Sequence, residues 1–391
     1  MVVFNEQQQM LRFAQDDICT FSAACWRSLS AEVLVLRIGI VGLAQVGKTT
    51  LFRILTHAHA RGAAPGKLEA SLGVVQVPDE RLDRLSDMYK PKRTIHATVE
   101  YLDTPGGIIE LARTGSQAQV LREVNALAHV VRAVEDEPVA GSVDPQREIE
   151  NVELELILSD LAVVEKRMDR LEKDVKKQKN AALEKEHRVL ERCKSLLEKQ
   201  IPLRELDLSP EDTVAIRGFT FLSQKPVLYV LNLSEKNAAR ANVAEEFAAE
   251  AGLRQRPNTA VTAICGKVEA ELAELGDPEA AEFLASYGLK ESAIARLIRA
   301  SYRLLGLISF FTVGDDECRA WTLRSGSSAL DAAGEIHTDI QRGFIRAEVV
   351  KYEDLIAAGS LAEARHRARL HLEGKEYVVR DGEVVHFRHS G

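Results

Sequence analysis

Two glycines, a lysine and a threonine at one fixed spacing are the residues of this chain best placed to do chemistry. "GLAQVGKT", Gly42 to Thr49, fits the pattern G-x-x-x-x-G-K-[ST]. Gly42 and Gly47 permit backbone conformations in which successive N–H groups point inward at phosphate oxygens. Lys48 would reach the β- and γ-phosphates, and the Thr49 hydroxyl would bind Mg²⁺. Gln45, Val46 and Thr50 complete the candidate phosphate-binding set. A second group is Asp103 in "YLDTPGG", about 55 residues after the loop, with Gly106 at the spacing D-x-x-G. A carboxylate there can hold the metal through water, and the Gly106 N–H can sense the γ-phosphate. Lys48, Asp103 and Gly106 are thus the candidate catalytic residues, and Thr49 and Asp103 the candidate metal ligands. A third group is "NLSE", Asn232 to Glu235. GTPases usually carry N-K-x-D at such a strand end, where the Asp accepts two hydrogen bonds from guanine. Leu233 and Glu235 stand at the Lys and Asp positions. A carboxylate set one methylene further out fits guanine's paired donors poorly, which weakens guanine selectivity.

These groups are useful only if the fold brings them to one edge. "VLVLRIGIVGL" is an apolar, β-branched run ending at the glycine loop, and "KTTLFRILTHA" reads as a helix with Leu51, Ile54 and Leu55 on one face. "ATVEYLDTPGG", "ALAHVVRAVED" and "KPVLYVLNLSE" read as further buried strands. A parallel sheet flanked by helices follows. From about residue 149 to 201 the texture changes. Leu154, Leu161, Met168 and Val175 recur at heptad spacing, as do Leu183, Leu190 and Leu197. This predicts an antiparallel helical hairpin that projects from the sheet domain and needs no other cover. Beyond about Leu305, short strand-like runs surround one helix, "SALDAAGEIHTDIQR", with "RDGE" as a hairpin turn.

Bulk properties agree with a multidomain cytoplasmic protein. At 391 residues the chain is long enough for two or three domains, and 46% hydrophobic residues suffice to build their cores. There is no apolar run of about 18 residues, so no membrane span is expected. A net charge of −8 argues against wholesale wrapping of nucleic acid. Five scattered cysteines without metal-ligand spacing suit a reduced, cytoplasmic protein. The first 36 residues lack the cationic start and apolar core of a signal peptide and read as a disordered extension, with a short docking helix as the alternative.

The ordered blocks "RIGIVGLAQVGKTTLF", "LGVVQVPDERLDRLSDMYKPKR", "VDPQREIENVELELILSDLAVVEKR", "KPVLYVLNLSEKN" and "FFTVGDDECRAWTLRSGSSALDAAGEIHTDIQRGFIRAEVVKYEDL" resemble those of the YchF family of Obg-like ATPases, within the TRAFAC class of P-loop NTPases. The resemblance implies an α/β P-loop NTPase domain with an inserted α-helical coiled-coil hairpin, plus a C-terminal β-grasp (ubiquitin-like) TGS domain. Residues 37–148 and 205–304 would form the two parts of the NTPase domain, 149–204 the hairpin insertion and 305–391 the TGS domain. It further implies slow Mg²⁺-dependent hydrolysis of ATP with GTP bound more weakly, K⁺ as a further candidate cofactor, and a monomer. Binding to the ribosome or ribosomal RNA through the hairpin and the TGS domain is implied as well. Twelve Lys and Arg residues between Lys166 and Lys199 make the hairpin a candidate phosphate-contacting arm, against the plainer reading of a solvated coiled coil.

Two departures mark a divergent member. The family's first-switch threonine, which completes the Mg²⁺ shell, aligns with Lys67 in "RGAAPGKLEASLG". Gly107 stands where classical GTPases place a water-orienting Gln, and "GIIELARTGSQAQ" replaces the family's longer loop. Phosphoryl transfer depends on positioning and charge neutralisation, so turnover is expected to be slow. A nucleotide-binding adaptor with negligible hydrolysis and a GTP-preferring Obg-type GTPase are the alternatives.

Overall fold

The computed structural model describes residues 36–57, 71–104, 116–133, 144–177, 180–240 and 242–390. The expectations for the extension before Leu36, for Lys67, Gly106 and Gly107, and for the hairpin tip at Lys179 lie outside the described residues. Among the described residues the strands are β1 (Arg37–Val41), β2 (Ser71–Gln76), β3 (Arg93–Ile95), β4 (Thr98–Asp103), β5 (Ala126–Ala133), β6 (Val227–Leu233), β7 (Thr259–Ile264), β8 (Leu307–Thr312), β9 (Glu317–Arg324), β10 (Phe344–Lys351), β11 (His371–Glu373) and β12 (Glu383–His389). They form two six-stranded sheets in two compact units. One unit holds Leu36–Val75 and Val99–Leu305. The other holds Gln76–Thr98 and the residues from Gly306 onward. No helix among the described residues is long and apolar enough to cross a membrane.

In the larger unit the strand order is β2-β4-β1-β5-β6-β7, and β1 runs parallel to both β4 and β5, as do β5 to β6 and β6 to β7. The near-continuous apolar runs of β5 and β6 follow from burial of both sheet faces. The strand order reverses at β1, between β4 and β5, so a crevice opens at the carboxyl ends of these strands. The glycine loop leaves β1 there and enters the helix Lys48–His57, which buries Leu51, Ile54 and Leu55 as its periodicity requires.

The hairpin helices are Pro145–Lys177 and Ala181–Glu198. The expected stripe is half of the seam: Leu161 and Met168 alternate at 4–3 spacing with the fully buried Ile157, Val164 and Leu171, which the leucine heptad alone does not reveal. The hairpin is also not bare. Leu203, Ile216 and Phe221 join the same core, and Lys185 and Arg192 pair with Glu211 and Asp212 of the short helix Pro210–Ile216. Three carboxylates on the long helix anchor its root. Glu148 takes the Arg132 N–H and guanidinium at 3.1 and 3.2 Å. Glu153 meets the Arg204 guanidinium at 2.6 Å and the Tyr229 hydroxyl at 2.9 Å. Asp160 accepts from the Leu222 and Ser223 N–H groups at 2.9 and 2.7 Å and from Arg122 at 3.3 Å. Each is buried and hydrogen-bonded, so the root is held by polar contacts where the rest of the arm is held by its apolar seam.

The smaller unit is a β-grasp. Its sheet runs β11-β10-β12-β8-β9-β3, and the helix Ala329–Ile336 packs Ala329, Ala332 and Ala333 against Phe310, Ala347 and Phe387. The one helix expected here is two, broken at His337, whose extended backbone ends the first and whose Nδ1 accepts the Asp339 N–H of the second at 3.1 Å. "RDGE" is a turn but not a hairpin, because β12 pairs with β10 and β8 rather than with the strand before it. The Asp381 carboxylate in that turn accepts from the Ser309 N–H at 2.9 Å and from Arg81 at 2.8 Å. Arg81 belongs to Gln76–Thr98, a stretch that the sequence suggested lies within 37–148. Here it groups with the smaller unit, adding the edge strand β3 parallel to β9 and stacking Arg81 over the Phe311 ring at 5.3 Å.

Candidate functional site

The carboxyl ends of β1, β4, β6 and β7 bring Gly42, Asp103, Asn232 and Gly266 to one edge of the larger sheet. The loop after β1 is tightly curled. Gly42, Gln45 and Gly47 have φ of 148°, 62° and 102°, three positive values within six residues. Alternation of this kind turns successive N–H groups to one side, a nest for an anion. At Gly42 a Cβ would lie 2.5 Å from the Val130 carbonyl oxygen, so glycine is needed for space as well as for conformation. Val46 is buried and pins the loop to the core, whereas Gln45, Thr49 and Thr50 are exposed.

Lys48 is 8% exposed and donates to the loop's own carbonyls, Gly42 O at 3.2 Å and Leu43 O at 2.5 Å. Burial pulls its pKa down, and the nearby Asp103 opposes that. Asp103 is 7% exposed; its carboxyl is pushed up by burial, against a hydrogen bond from Thr49 and the charges of Lys48 and Arg53. Its Oδ1 is buried without a hydrogen-bond partner among the described residues, while the Thr104 hydroxyl donates to Ile40 O at 3.2 Å and fixes the strand end. A buried carboxylate oxygen with no partner, beside a threonine hydroxyl, fits a hard cation that takes oxygen ligands. No cluster of three or more His, Cys, Asp or Glu exists among the described residues.

At the other end of the site, Asn232 works on the scaffold. Its amide donates to Val46 O at 3.1 Å and its oxygen accepts the Gly266 N–H at 3.1 Å, tying the phosphate loop to the loop after β7. The Leu233 side chain lies in the core, so only its backbone remains for a base. Glu235 is exposed and already paired: Lys267 Nζ lies 2.6 Å from Oε2, and the Tyr287 hydroxyl 3.3 Å from Oε1. The Lys267 hydrogen bond and charge hold the Glu235 carboxyl below its usual value. Lys267 and Tyr287 carry no motif of their own. The lysine of "ICGK" at the end of a neighbouring strand is the single signal that sequence reading could have used. Cys265 is buried with its thiol pushed up by burial, which disfavours the reactive thiolate.

His129 on β5, the register partner of Val41 on β1, carries no motif that marks it in the sequence. It is fully buried, its ring tilts on Tyr229 at 5.5 Å, and neither ring nitrogen has a hydrogen-bond partner among the described residues.

Comparison with known proteins completes the picture. A family model described as a 50S ribosome-binding GTPase matches residues 37–232. The model of the YchF-GTPase C-terminal family, described as a protein of unknown function (DUF933), matches residues 307–390. The chain is 42% identical over 366 residues to the protein named "Ribosome-binding ATPase YchF" of Bacillus subtilis (strain 168), covering 91% of this chain and 99% of that one. It is 36% identical over 363 residues to "Obg-like ATPase 1" of Oryza sativa subsp. japonica, covering 90% and 92%. The solved structure of the Schizosaccharomyces pombe YchF GTPase superposes with a TM-score of 0.77 at 30% identity, covering 90% of this chain and 97% of that one.

Proposed function

The chain belongs to the YchF family, and on that footing we propose that it is a slow, Mg²⁺-dependent ATPase that acts as a nucleotide-controlled switch on the ribosome. The observation that carries the reading is the curled loop at Gly42–Thr49 with the buried Lys48 and Asp103 converging beneath it. The loop N–H groups and the start of the helix Lys48–His57 bind phosphate oxygens. Lys48 exchanges the carbonyls of Gly42 and Leu43 for the β- and γ-phosphates, regaining in one move the partners its buried ammonium needs. Thr49 and Asp103 would hold Mg²⁺, which supplies charge neutralisation on the phosphates when bound. Gly106 would sense the γ-phosphate from the segment after β4. With Lys67 and Gly107 at the two switch positions, nothing in the sequence orients the attacking water, which accounts for slow turnover.

ATP rather than GTP is the proposed substrate, because Glu235 stands where a shorter Asp reads guanine. The relatives named ribosome-binding support the same partner here, with the hairpin and the β-grasp unit as the contacting parts. Exposed Lys166, Arg170, Lys173 and Arg188 along the hairpin suit RNA phosphates, with an affinity that falls steeply with salt.

The test is ATP and GTP binding and multiple-turnover hydrolysis with Mg²⁺, with and without K⁺, for wild type and Lys48→Ala. Slow ATP turnover in wild type and its loss in the variant are expected, with ATP affinity reduced by about 50-fold or more, since charge-assisted bonds to phosphate are lost. Tight ATP binding without turnover above the variant overturns the enzyme and leaves a nucleotide-gated adaptor.

A further inference from the structure

We infer that Lys267 and Tyr287 set the base preference of this site by occupying the Glu235 carboxylate, so that guanine must displace them to be read. The inference rests on the nucleotide-binding reading above and deepens it. A carboxylate recognises guanine by accepting from N1–H and the 2-amino group together, one donor to each oxygen. In this structure each oxygen of Glu235 already has a donor, Lys267 Nζ at 2.6 Å on Oε2 and the Tyr287 hydroxyl at 3.3 Å on Oε1. Adenine makes no such demand, because its N1 is an acceptor and it lacks the 2-amino group.

The scaffold sets this arrangement in place. β6 and β7 are parallel neighbours, so Glu235 and Lys267, two and three residues past their ends, emerge side by side. The Gly266 N–H bonded to Asn232 fixes the loop that carries Lys267. Tyr287 follows the helix Asp277–Ser286, its ring held against Phe283 at 5.1 Å. The pair is exposed, with the Glu235 and Lys267 side chains at 42% and 67%. An exposed ion pair adds little to stability, and what it does change is which donors the carboxylate can accept. For the same reason the discrimination is graded, since guanine has only a solvated ion pair to displace.

The experiment titrates Mg-ATP and Mg-GTP into wild type, Lys267→Met, Tyr287→Phe and the double variant Lys267→Met/Glu235→Gln, with thermal unfolding confirming that each folds. Lys267→Met is expected to shift the GTP-to-ATP affinity ratio toward GTP by about three- to tenfold, and Tyr287→Phe by less. The double variant should lose the gain, because the freed carboxylate is what guanine reads. A ratio unmoved in Lys267→Met, or a gain that survives in the double variant, overturns the inference while the nucleotide-binding reading stands. Wild type that takes up neither nucleotide overturns that reading and the inference with it.

Discussion

The two ends of the nucleotide site are built on opposite principles. The phosphate end is backbone: three positive φ values within six residues, and a lysine and an aspartate both under 10% exposed. The proposed base end is side chain: Glu235, Lys267 and Tyr287 meet at the surface from segments 32 and 52 residues apart from Glu235. Phosphate binding is common to every nucleotide, and it is held by conformations that few residues can adopt. Base choice differs between nucleotides, and it is left to exposed groups that can change without disturbing the fold.

If that contrast holds, substitution at Gly42 has the largest effect. Gly42→Ala places a Cβ 2.5 Å from the Val130 carbonyl oxygen at a φ of 148°. The neighbouring atom is backbone in a buried strand, so nothing flexible can yield. A loss of about 3 kcal/mol or more in urea unfolding is expected, from strain and displaced packing together. Binding of Mg-ATP should weaken by at least about tenfold, because the nest of N–H groups no longer closes. Wild-type stability and affinity in this variant would break the comparison at its strong end.

Acid acts on the floor of the phosphate end. His129 faces Glu153, Arg204, Lys48 and Tyr229; burial lowers its pKa to about 4 from an ordinary 6.5, with Arg204 and Lys48 reinforcing the fall and Glu153 opposing it. The unfolded chain takes up a proton as pH drops below 6.5, whereas the folded chain does so only near 4. Stability from this group is therefore complete above pH 6.5 and lost between 6.5 and 4, by about 3 kcal/mol. Denaturant unfolding at pH 7 and pH 4 should show that loss, and His129→Leu should remove this part of it while leaving stability at pH 7 equal or higher. An unchanged pH dependence in His129→Leu would show that the ring is not held neutral.

The same contrast decides what could be read from the sequence. The phosphate loop was legible because φ demands and steric demands fall on named residues at fixed spacing, Gly42, Gly47 and Lys48. Asp103 was legible because it ends an apolar run at D-x-x-G. Lys267 and Tyr287 were not, since their meeting with Glu235 depends on the register of β6 against β7 and on where a helix ends. His129 hides in an apolar run whose other members explain it as a strand. The hairpin was visible through its leucines, but half of its seam is Ile157 and Val164, which break the leucine repeat without breaking the 4–3 spacing. No local signal marks Gln76–Thr98 as part of the β-grasp unit, because β3 finds β9 across more than 200 residues of chain.

The smallest of these effects, and the sharpest division between the two ends, is expected at Asn232, which touches both. Its amide holds the Val46 carbonyl and its oxygen holds the Gly266 N–H, with Gly47 packed so closely that a Cβ there would meet the amide nitrogen at 2.7 Å. Asn232→Ala removes two hydrogen bonds and leaves the Val46 carbonyl and the Gly266 N–H to find other partners, a loss of about 1–3 kcal/mol in unfolding. The loops it joins carry the proposed phosphate contacts on one side and Lys267 on the other. If Asn232 serves both nucleotides alike by holding the loops, affinity for Mg-ATP and Mg-GTP should fall by the same factor, with their ratio unchanged. Lys267→Met should do the reverse, moving the ratio while thermal stability stays at the wild-type value. A ratio that moves in Asn232→Ala would mean that the tether itself sets the orientation of the Glu235–Lys267 pair. The two ends would then be one coupled site.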